Sequence, residues 1–160
     1  MSGPVNVSEV AVAGDPDAPA GFRSRGVQLG PDLGAAKLGG SVYELDPGES
    51  ICPYHWEGVE EEWLLVLSGT PTLRDPDGEH ELTAGDVVCF PRGPEGAHKI
   101  TNRGSQPLRV LMVSSIPAQE ISICVYPDSN KVSIWPPGVT LEMDDPVGYW
   151  HREVEPPVTG

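Results

Sequence analysis

Apolar and polar residues alternate in short runs along most of this chain, a pattern that predicts β-strands with one buried face. The run 61–67 is the clearest example. Positions 63, 65 and 67 would lie on one face of a strand, and Glu62, Leu64 and Val66 would lie on the other. Glu62 is then a carboxylate on an otherwise apolar face. Burying its charge is costly unless it meets a cation or hydrogen-bond donors.

Similar short runs predict the other strands. They cover residues 5–12, 27–29, 40–45, 51–56, 71–74, 79–82, 87–90, 108–114, 121–126 and 131–135, the last being the final strand. The run 87–90 is apolar without interruption, which predicts a strand buried on both faces. Short strands spaced roughly eight to twelve residues apart indicate an all-β sandwich or barrel.

Composition agrees with an all-β chain of one domain. The 160 residues include 19 glycines and 18 prolines, which leave no uninterrupted window for a long helix. The formal net charge of −14 argues against nucleic acid and anionic membrane as partners, because both require Lys and Arg to meet phosphates. Residues 1–12 lack the basic start and apolar run of a signal peptide, so the predicted location is cytoplasmic.

The three cysteines predict neither a disulfide framework nor a thiolate zinc site. Cys52, Cys89 and Cys124 are odd in number, widely spaced and without a CxxC pair. We expect buried thiols within strands.

A candidate ion site begins at His55 and Glu57. On an extended strand these side chains project from the same face, about 7 Å apart, and could hold one ion together. Later in the chain, two prolines and two glycines make residues 91–96 a stiff loop that leads to His98.

Two spaced motifs resemble those of the cupins, a family of small jelly-roll β-barrels. The family patterns are Gly-x5-His-x-His-x3-4-Glu-x6-Gly and Gly-x5-Pro-x-Gly-x2-His-x3-Asn. The first is matched by Gly48, His55, Glu57, Glu62 and Gly69. The second is matched by Gly85, Pro91, Gly93, His98 and Asn102. The segments before His55 and His98 are longer than in the family pattern, with six residues after Gly48 and four after Gly93.

The resemblance covers roughly residues 27–125 and implies an all-β fold, a single jelly-roll β-barrel with irregular N- and C-terminal extensions. The predicted organisation is an N-terminal arm over 1–26, the barrel over 27–126 and a C-terminal extension over 127–160. The extension would pack on the barrel and its last residues would be flexible. Outward-facing Trp56 and Trp63, together with the N-terminal arm, predict a homodimer.

The resemblance also implies a divalent metal ion inside the barrel, which could be iron, manganese or zinc. By position its ligands would be His55, Glu57, Glu62 and His98. Glu57 stands where the family pattern has its second histidine. The ligand set then has two carboxylates, which makes it harder in the acid–base sense and neutralises the charge of a divalent ion. Three roles stay open for Glu57: fourth ligand, catalytic general base, or the mark of a lost site in which both histidines are only hydrogen-bonded interior residues.

The remaining polar residues near the motifs are assigned by register. Glu61 is the reserve ligand and Glu60 is expected at the surface, as are His80, His151 and Arg92.

The implied function is that of a metal-dependent enzyme, dioxygenase-like or isomerase-like, which acts on a small molecule. The alternative is a non-catalytic barrel that binds or senses a sugar or another metabolite. A storage role is a third alternative, which the single short barrel disfavours.

Overall fold

The computed structural model describes residues 3–116 and 121–153. Within these residues the chain forms thirteen β-strands, one short α-helix and two 3-10 turns. The strands are β1 (Ala13–Gly14), β2 (Arg25–Gln28), β3 (Leu38–Leu45), β4 (Trp56–Glu57), β5 (Glu62–Ser68), β6 (Thr72–Asp75), β7 (Gly78–Glu81), β8 (Val87–Phe90), β9 (Lys99–Thr101), β10 (Leu108–Ser115), β11 (Ser122–Tyr126), β12 (Lys131–Trp135) and β13 (Val139–Glu142). The helix α1 covers Gly30–Leu33, and the turns η1 and η2 cover Pro94–Gly96 and Pro127–Ser129.

The strands form three sheets in which all described pairings are antiparallel. A six-stranded sheet has the order β1-β2-β3-β10-β5-β8, a four-stranded sheet has the order β13-β12-β11-β4, and a three-stranded sheet has the order β7-β6-β9. Strands distant in sequence are neighbours, since β10 pairs with both β3 and β5. This arrangement confirms the predicted all-β barrel architecture.

The core is built from alternate residues of the six-stranded and three-stranded sheets. Its buried members in the described chain are Leu45, Leu64, Val66, Leu73, Phe90, Ile100, Leu108, Val110 and Met112. In β5 the exposed fraction is 0% for Leu64 and 1% for Val66, but 48% for Trp63. The two faces predicted for this strand are therefore confirmed, and Glu62 lies on the buried one.

The prediction that residues 87–90 are buried on both faces is wrong. Val87 is 55% exposed and Cys89 is also exposed, whereas Phe90 packs into the core. The reason is that only one face of this sheet meets the core here, as in the neighbouring strand β5, whose Trp63 is 48% exposed. An uninterrupted apolar run does not reveal whether both of its faces are covered.

The N-terminal segment is not the strand predicted over residues 5–12. Residues 7–9 form a turn instead, and pairing begins only at β1. The segment contacts the barrel through Arg109, whose Nε donates a hydrogen bond to the carbonyl of Val7 at 2.9 Å. The same guanidinium also donates to the carbonyl of Val10 and forms an ion pair with Glu44. These two carbonyls accept from the Arg109 side chain, and no strand forms over residues 5–12.

The chain continues beyond the predicted final strand, because β13 pairs with β12. Pairing register puts seven apolar residues on one side of the four-stranded sheet, here named the outer apolar face: Trp56, Ile123, Val125, Val132, Ile134, Val139 and Leu141. The predicted flexibility of the last residues concerns 154–160, which lie outside the described residues. Across the described ranges, no helix is both long and apolar enough to cross a membrane.

Candidate metal centre

The two motif histidines lie directly opposite each other on neighbouring backbone segments. His55 donates its backbone N–H to the carbonyl of His98 at 3.1 Å, and His98 returns the bond at 2.8 Å. Side chains of directly opposed residues emerge on the same side. Their ring centroids are accordingly 4.6 Å apart, although the residues are distant in sequence.

Backbone carbonyls determine which nitrogen of each ring carries the proton. The Nδ1 of His55 is 3.0 Å from the carbonyl oxygen of Pro53, and the Nδ1 of His98 is 2.9 Å from that of Gly96. Because a carbonyl oxygen only accepts, each Nδ1 is assigned the proton, and each Nε2 keeps its lone pair. Phe90 stacks on the His98 ring with centroids 3.8 Å apart, which fixes its plane.

Glu62 presents its carboxylate to both lone pairs. Its Oε2 is 3.5 Å from Nε2 of His98 and 3.9 Å from Nε2 of His55. Three acceptors thus face one another, an arrangement that requires a proton or a cation between them. Ligand atoms about 2.1 Å from one ion lie roughly 3 Å apart, so small side-chain rotations would suffice. These residues fit a divalent metal ion, with two nitrogens and one oxygen as ligands.

The four residues predicted as ligands from the sequence fall into two overlapping groups that share His55. Ligand atoms of His55, Glu62 and His98 all lie within 4.8 Å of one another, and a second such group consists of His55, Glu57 and Cys124. Glu57 belongs to the second group through its Oε1, which is 3.7 Å from Nε2 of His55.

Burial controls the protonation of the whole cluster. It raises the pKa of Glu57 to about 7, and it raises the pKa of Glu62 to about 7 with a further contribution from the charge of Glu60. Burial lowers the pKa of His55 and, reinforced by the charge of His55, lowers the pKa of His98 to about 4. Near neutral pH both imidazoles are therefore uncharged, and the carboxyl groups hold protons that a cation would displace.

Two of the three glutamates at positions 60–62 do not lie where the sequence predicts. Glu60, predicted at the surface, is half-buried, and its Oε2 is a buried atom without a hydrogen-bond partner in the described chain. Glu61, predicted as the reserve ligand, is exposed and accepts a hydrogen bond from Nε1 of Trp63 at 2.9 Å. Both predictions are wrong because the alternation of β5 continues through these residues: Glu60 lies on the inner side with Glu62, and Glu61 lies on the exposed side with Trp63.

Two cavities meet at the cluster. The first, of about 260 Å³, is lined by both histidines and by Tyr43, Cys52 and Met112. The second, of about 340 Å³, lies under the four-stranded sheet and is lined by Glu57, Glu60, Cys124, Tyr126 and Ser133, among others. Glu62 and Ser114 line both cavities. Neither cavity has a lysine or arginine among its described lining residues.

Sequence reasoning missed Cys124 and Tyr126 as residues of the site. Both side chains lie on the cavity side of β11, opposite the outer apolar face. Burial raises the pKa of the Cys124 thiol and raises the pKa of Tyr126 to about 12. The available signal was the alternation of Ser122, Cys124 and Tyr126 with apolar neighbours, which marks a polar inner face.

The comparisons with known proteins agree with this fold. The cupin domain family matches residues 41–114. A proposed sugar phosphate isomerase from Acidithiobacillus ferrooxidans is 28% identical, with 79% of this chain and 81% of that one covered and a TM-score of 0.71. A sugar phosphate isomerase of the cupin superfamily from Silicibacter pomeroyi is 21% identical, with coverages of 92% and 98% and a TM-score of 0.77.

A polyketide cyclase from Streptomyces resistomycificus is 26% identical, with 75% of this chain and 83% of that one covered and a TM-score of 0.60. No curated protein gives a significant match. The matched segment contains His55, Glu62 and His98, and the similar structures share the barrel that brings these residues together. Residues 41–114 therefore match the cupin domain family, and the chain has the barrel fold of the cupin structures it resembles.

Proposed function

We propose that this chain is a metal-dependent enzyme that acts on a small uncharged molecule, with His55, Glu62 and His98 as ligands of a divalent ion. The observation that carries the proposal is that two imidazole lone pairs and a carboxylate face one another, with no donor from the described chain between them. Iron, manganese and zinc all accept such a set.

Isomerase-type proton transfer is the reaction class that the side chains support best. When bound, a divalent ion supplies a Lewis acid that polarises a carbonyl or hydroxyl oxygen of the substrate. Glu57 stands beside the three ligands in the second cavity, and burial brings the pKa of its carboxyl to about 7. Such a carboxylate can accept a proton from a carbon next to a carbonyl and return it to a neighbouring atom, with no net change in protons.

The cavities favour an uncharged, hydroxyl-bearing substrate over a phosphorylated one. Ser114, Ser122 and Ser133 line the second cavity together with three glutamates. A phosphate group would find no lysine or arginine in this lining, and it would be repelled by the carboxylates. The chain resembles a proposed sugar phosphate isomerase, yet the lining supports an unphosphorylated sugar or polyol.

Proton exchange into candidate substrates tests this function. Metal-loaded protein would be incubated in heavy water with matched pairs of free and phosphorylated sugars, and loss of the C2 proton signal would be followed by NMR. We expect exchange with a free sugar, a loss of about a hundredfold or more in Glu57→Gln, and no change in the exposed control Glu61→Gln. Exchange confined to phosphorylated sugars would contradict the proposed substrate class.

An oxygenase is the second candidate, because two histidines and one carboxylate are also the ligand set of many non-haem iron oxygenases. Oxygen uptake by the iron-loaded protein with thiols, diketones and phenols tests it. Substrate-dependent uptake without proton exchange would favour the oxygenase. Saturable sugar binding without either reaction would favour the non-catalytic alternative.

The outer apolar face supports the predicted homodimer. Its described members include Ile123, Val139 and Leu141, which are 39%, 40% and 51% exposed. A flat sheet face of this composition can be covered by the same face of a second chain around a two-fold axis. The cytoplasmic location and the division at residues 26 and 126 stay predictions.

A further inference from the structure

Cys124 occupies a position from which it can reach an ion held by His55. Strand β11 pairs with β4 so that Cys124 lies directly opposite Glu57. His55 precedes Glu57 by two residues, and its side chain projects from the same side. One nitrogen, one carboxylate oxygen and one sulfur therefore lie within 4.8 Å of one another at the edge of the second cavity.

His55 is also a member of the group formed with Glu62 and His98. The Nδ1 of His55 bonds the carbonyl of Pro53, so only its Nε2 lone pair remains for an ion. A single lone pair binds one ion at a time. The two groups are thus alternative positions for one ion and not a two-metal centre. We call the group of His55, Glu62 and His98 the inner position, and the group of His55, Glu57 and Cys124 the outer position.

The two positions differ in the kind of ion that they suit. The inner position has two nitrogens and one oxygen, which accept iron or manganese. The outer position replaces one nitrogen by sulfur, and thiolate favours zinc, cadmium and copper(I). Cys52 does not offer the same choice, because its Sγ is 3.4 Å from Nδ1 of His55, the nitrogen that bears the proton.

We propose that His55 is shared by two alternative metal positions, and that Cys124 and Glu57 form an outer position selective for thiophilic ions. This proposal rests on the proposed function through His55 and gives it a consequence. An ion in the inner position leaves Glu57 free to act as base, whereas an ion in the outer position binds Glu57 and removes the base. Zinc in the outer position would then inactivate the enzyme, because it binds Glu57, while it stays bound to the protein.

Cobalt(II) provides a readout that does not depend on activity, because a thiolate ligand adds a charge-transfer band in the near ultraviolet. Metal-free protein would be titrated with cobalt(II), and the band would be compared among wild type, Cys124→Ser and the control Cys52→Ser. We expect the band in wild type and in Cys52→Ser, and its loss in Cys124→Ser. In His98→Ala the inner position is lost, so the band per bound cobalt should rise.

The outcomes separate this proposal from the proposed function. Cobalt bound without a thiolate band, and lost in His98→Ala, would overturn the outer position while leaving the inner one. A band that persists in Cys124→Ser would also overturn it. Protein that binds no cobalt at all would overturn both proposals.

A second measurement needs no variant and covers the case in which Cys124→Ser fails to fold. Wild-type protein would be treated with iodoacetamide with and without zinc, and alkylation would be measured for each cysteine peptide. We expect zinc to slow alkylation of Cys124 but not of Cys89, which is exposed on the edge strand β8. Equal rates at Cys124 with and without zinc would contradict the proposal.

Discussion

The protons on two Nδ1 atoms determine what this site can bind. Pro53 and Gly96 each offer a carbonyl oxygen to one histidine ring, so both Nε2 lone pairs point to the carboxylate of Glu62. Hydrogen bonds of this second layer orient ligands before an ion arrives. The sequence shows neither carbonyl, because it does not reveal ring orientation.

The buried carboxyls should make the metal-free protein less stable as the pH rises through 7. Burial raises the pKa of Glu57 and Glu62 from the ordinary 4.5 to about 7. The folded state then keeps protons that the unfolded state has released. The stabilisation that these protons give is complete below pH 4.5 and is lost as the pH rises through 7. The lowered pKa of His98, about 4, acts in the opposite direction but only below its ordinary 6.5.

We therefore expect the melting temperature of metal-free protein to fall by a few degrees between about pH 6.5 and pH 8, measured by calorimetry. Glu62→Gln should reduce the fall because it removes one of the two carboxyls, and Glu61→Gln should leave it unchanged. Added divalent metal should remove the fall. An equal fall in wild type and Glu62→Gln would contradict this assignment.

At the scale of elements, the loop over residues 91–96 joins the two halves of the site. The N–H of Gly93 donates to the carbonyl of Glu57 at 2.8 Å, and the carbonyl of Gly96 accepts from the His98 ring. Gly96 has no room for a side chain, since an added Cβ would lie 1.7 Å from the carbonyl oxygen of Pro91. The loop must therefore move if this glycine is replaced.

Gly96→Ala should cost about 3 kcal/mol of folding free energy and weaken metal binding, because the displaced loop carries His98 with it. Chemical denaturation and metal titration would measure the two effects. The control is Gly148→Ala, where an added Cβ meets nothing within 4 Å. Unchanged metal affinity in a folded Gly96→Ala protein would contradict the role given to the loop.

The side chain of Arg109 connects the N-terminal segment to the barrel. Arg109 is 12% exposed and donates to the carbonyls of Val7 and Val10. Arg109→Ala should cost about 1–3 kcal/mol and expose residues 3–14 to limited proteolysis, because charge-assisted hydrogen bonds are lost. The control Arg103→Ala removes an exposed ion pair with Glu79 and should change neither. Equal cleavage in the two variants would refute the contact.

Period-two alternation predicted the positions of most strands and the buried face of β5. It failed where a local pattern cannot report the neighbours of a strand. The apolar run 87–90 has one exposed face, and within residues 5–12 the carbonyls of Val7 and Val10 accept from Arg109 instead of a second strand. Motif spacing brought out His55, Glu62 and His98, whereas Cys124 was missed because its place opposite Glu57 depends on strand pairing.

At the scale of the whole molecule, the outer apolar face should hold two chains together. Leu141→Asp puts a charge on this face and should convert the dimer to a monomer, since burial of an unpaired carboxylate is strongly unfavourable. Light scattering would give the mass. The matched control is Val87→Asp, at a residue 55% exposed on the other edge of the barrel. A wild-type mass equal to one chain would contradict the homodimer.

The central claim is that His55, Glu62 and His98 hold a divalent metal ion. The most direct measurement is elemental analysis of wild type, His98→Ala and the control Glu61→Gln, each purified without added metal and checked for folding by circular dichroism. The account predicts close to one equivalent of iron or manganese in wild type and in Glu61→Gln, and a severalfold lower content of these two metals in His98→Ala. Equal iron and manganese content in wild type and folded His98→Ala would contradict it.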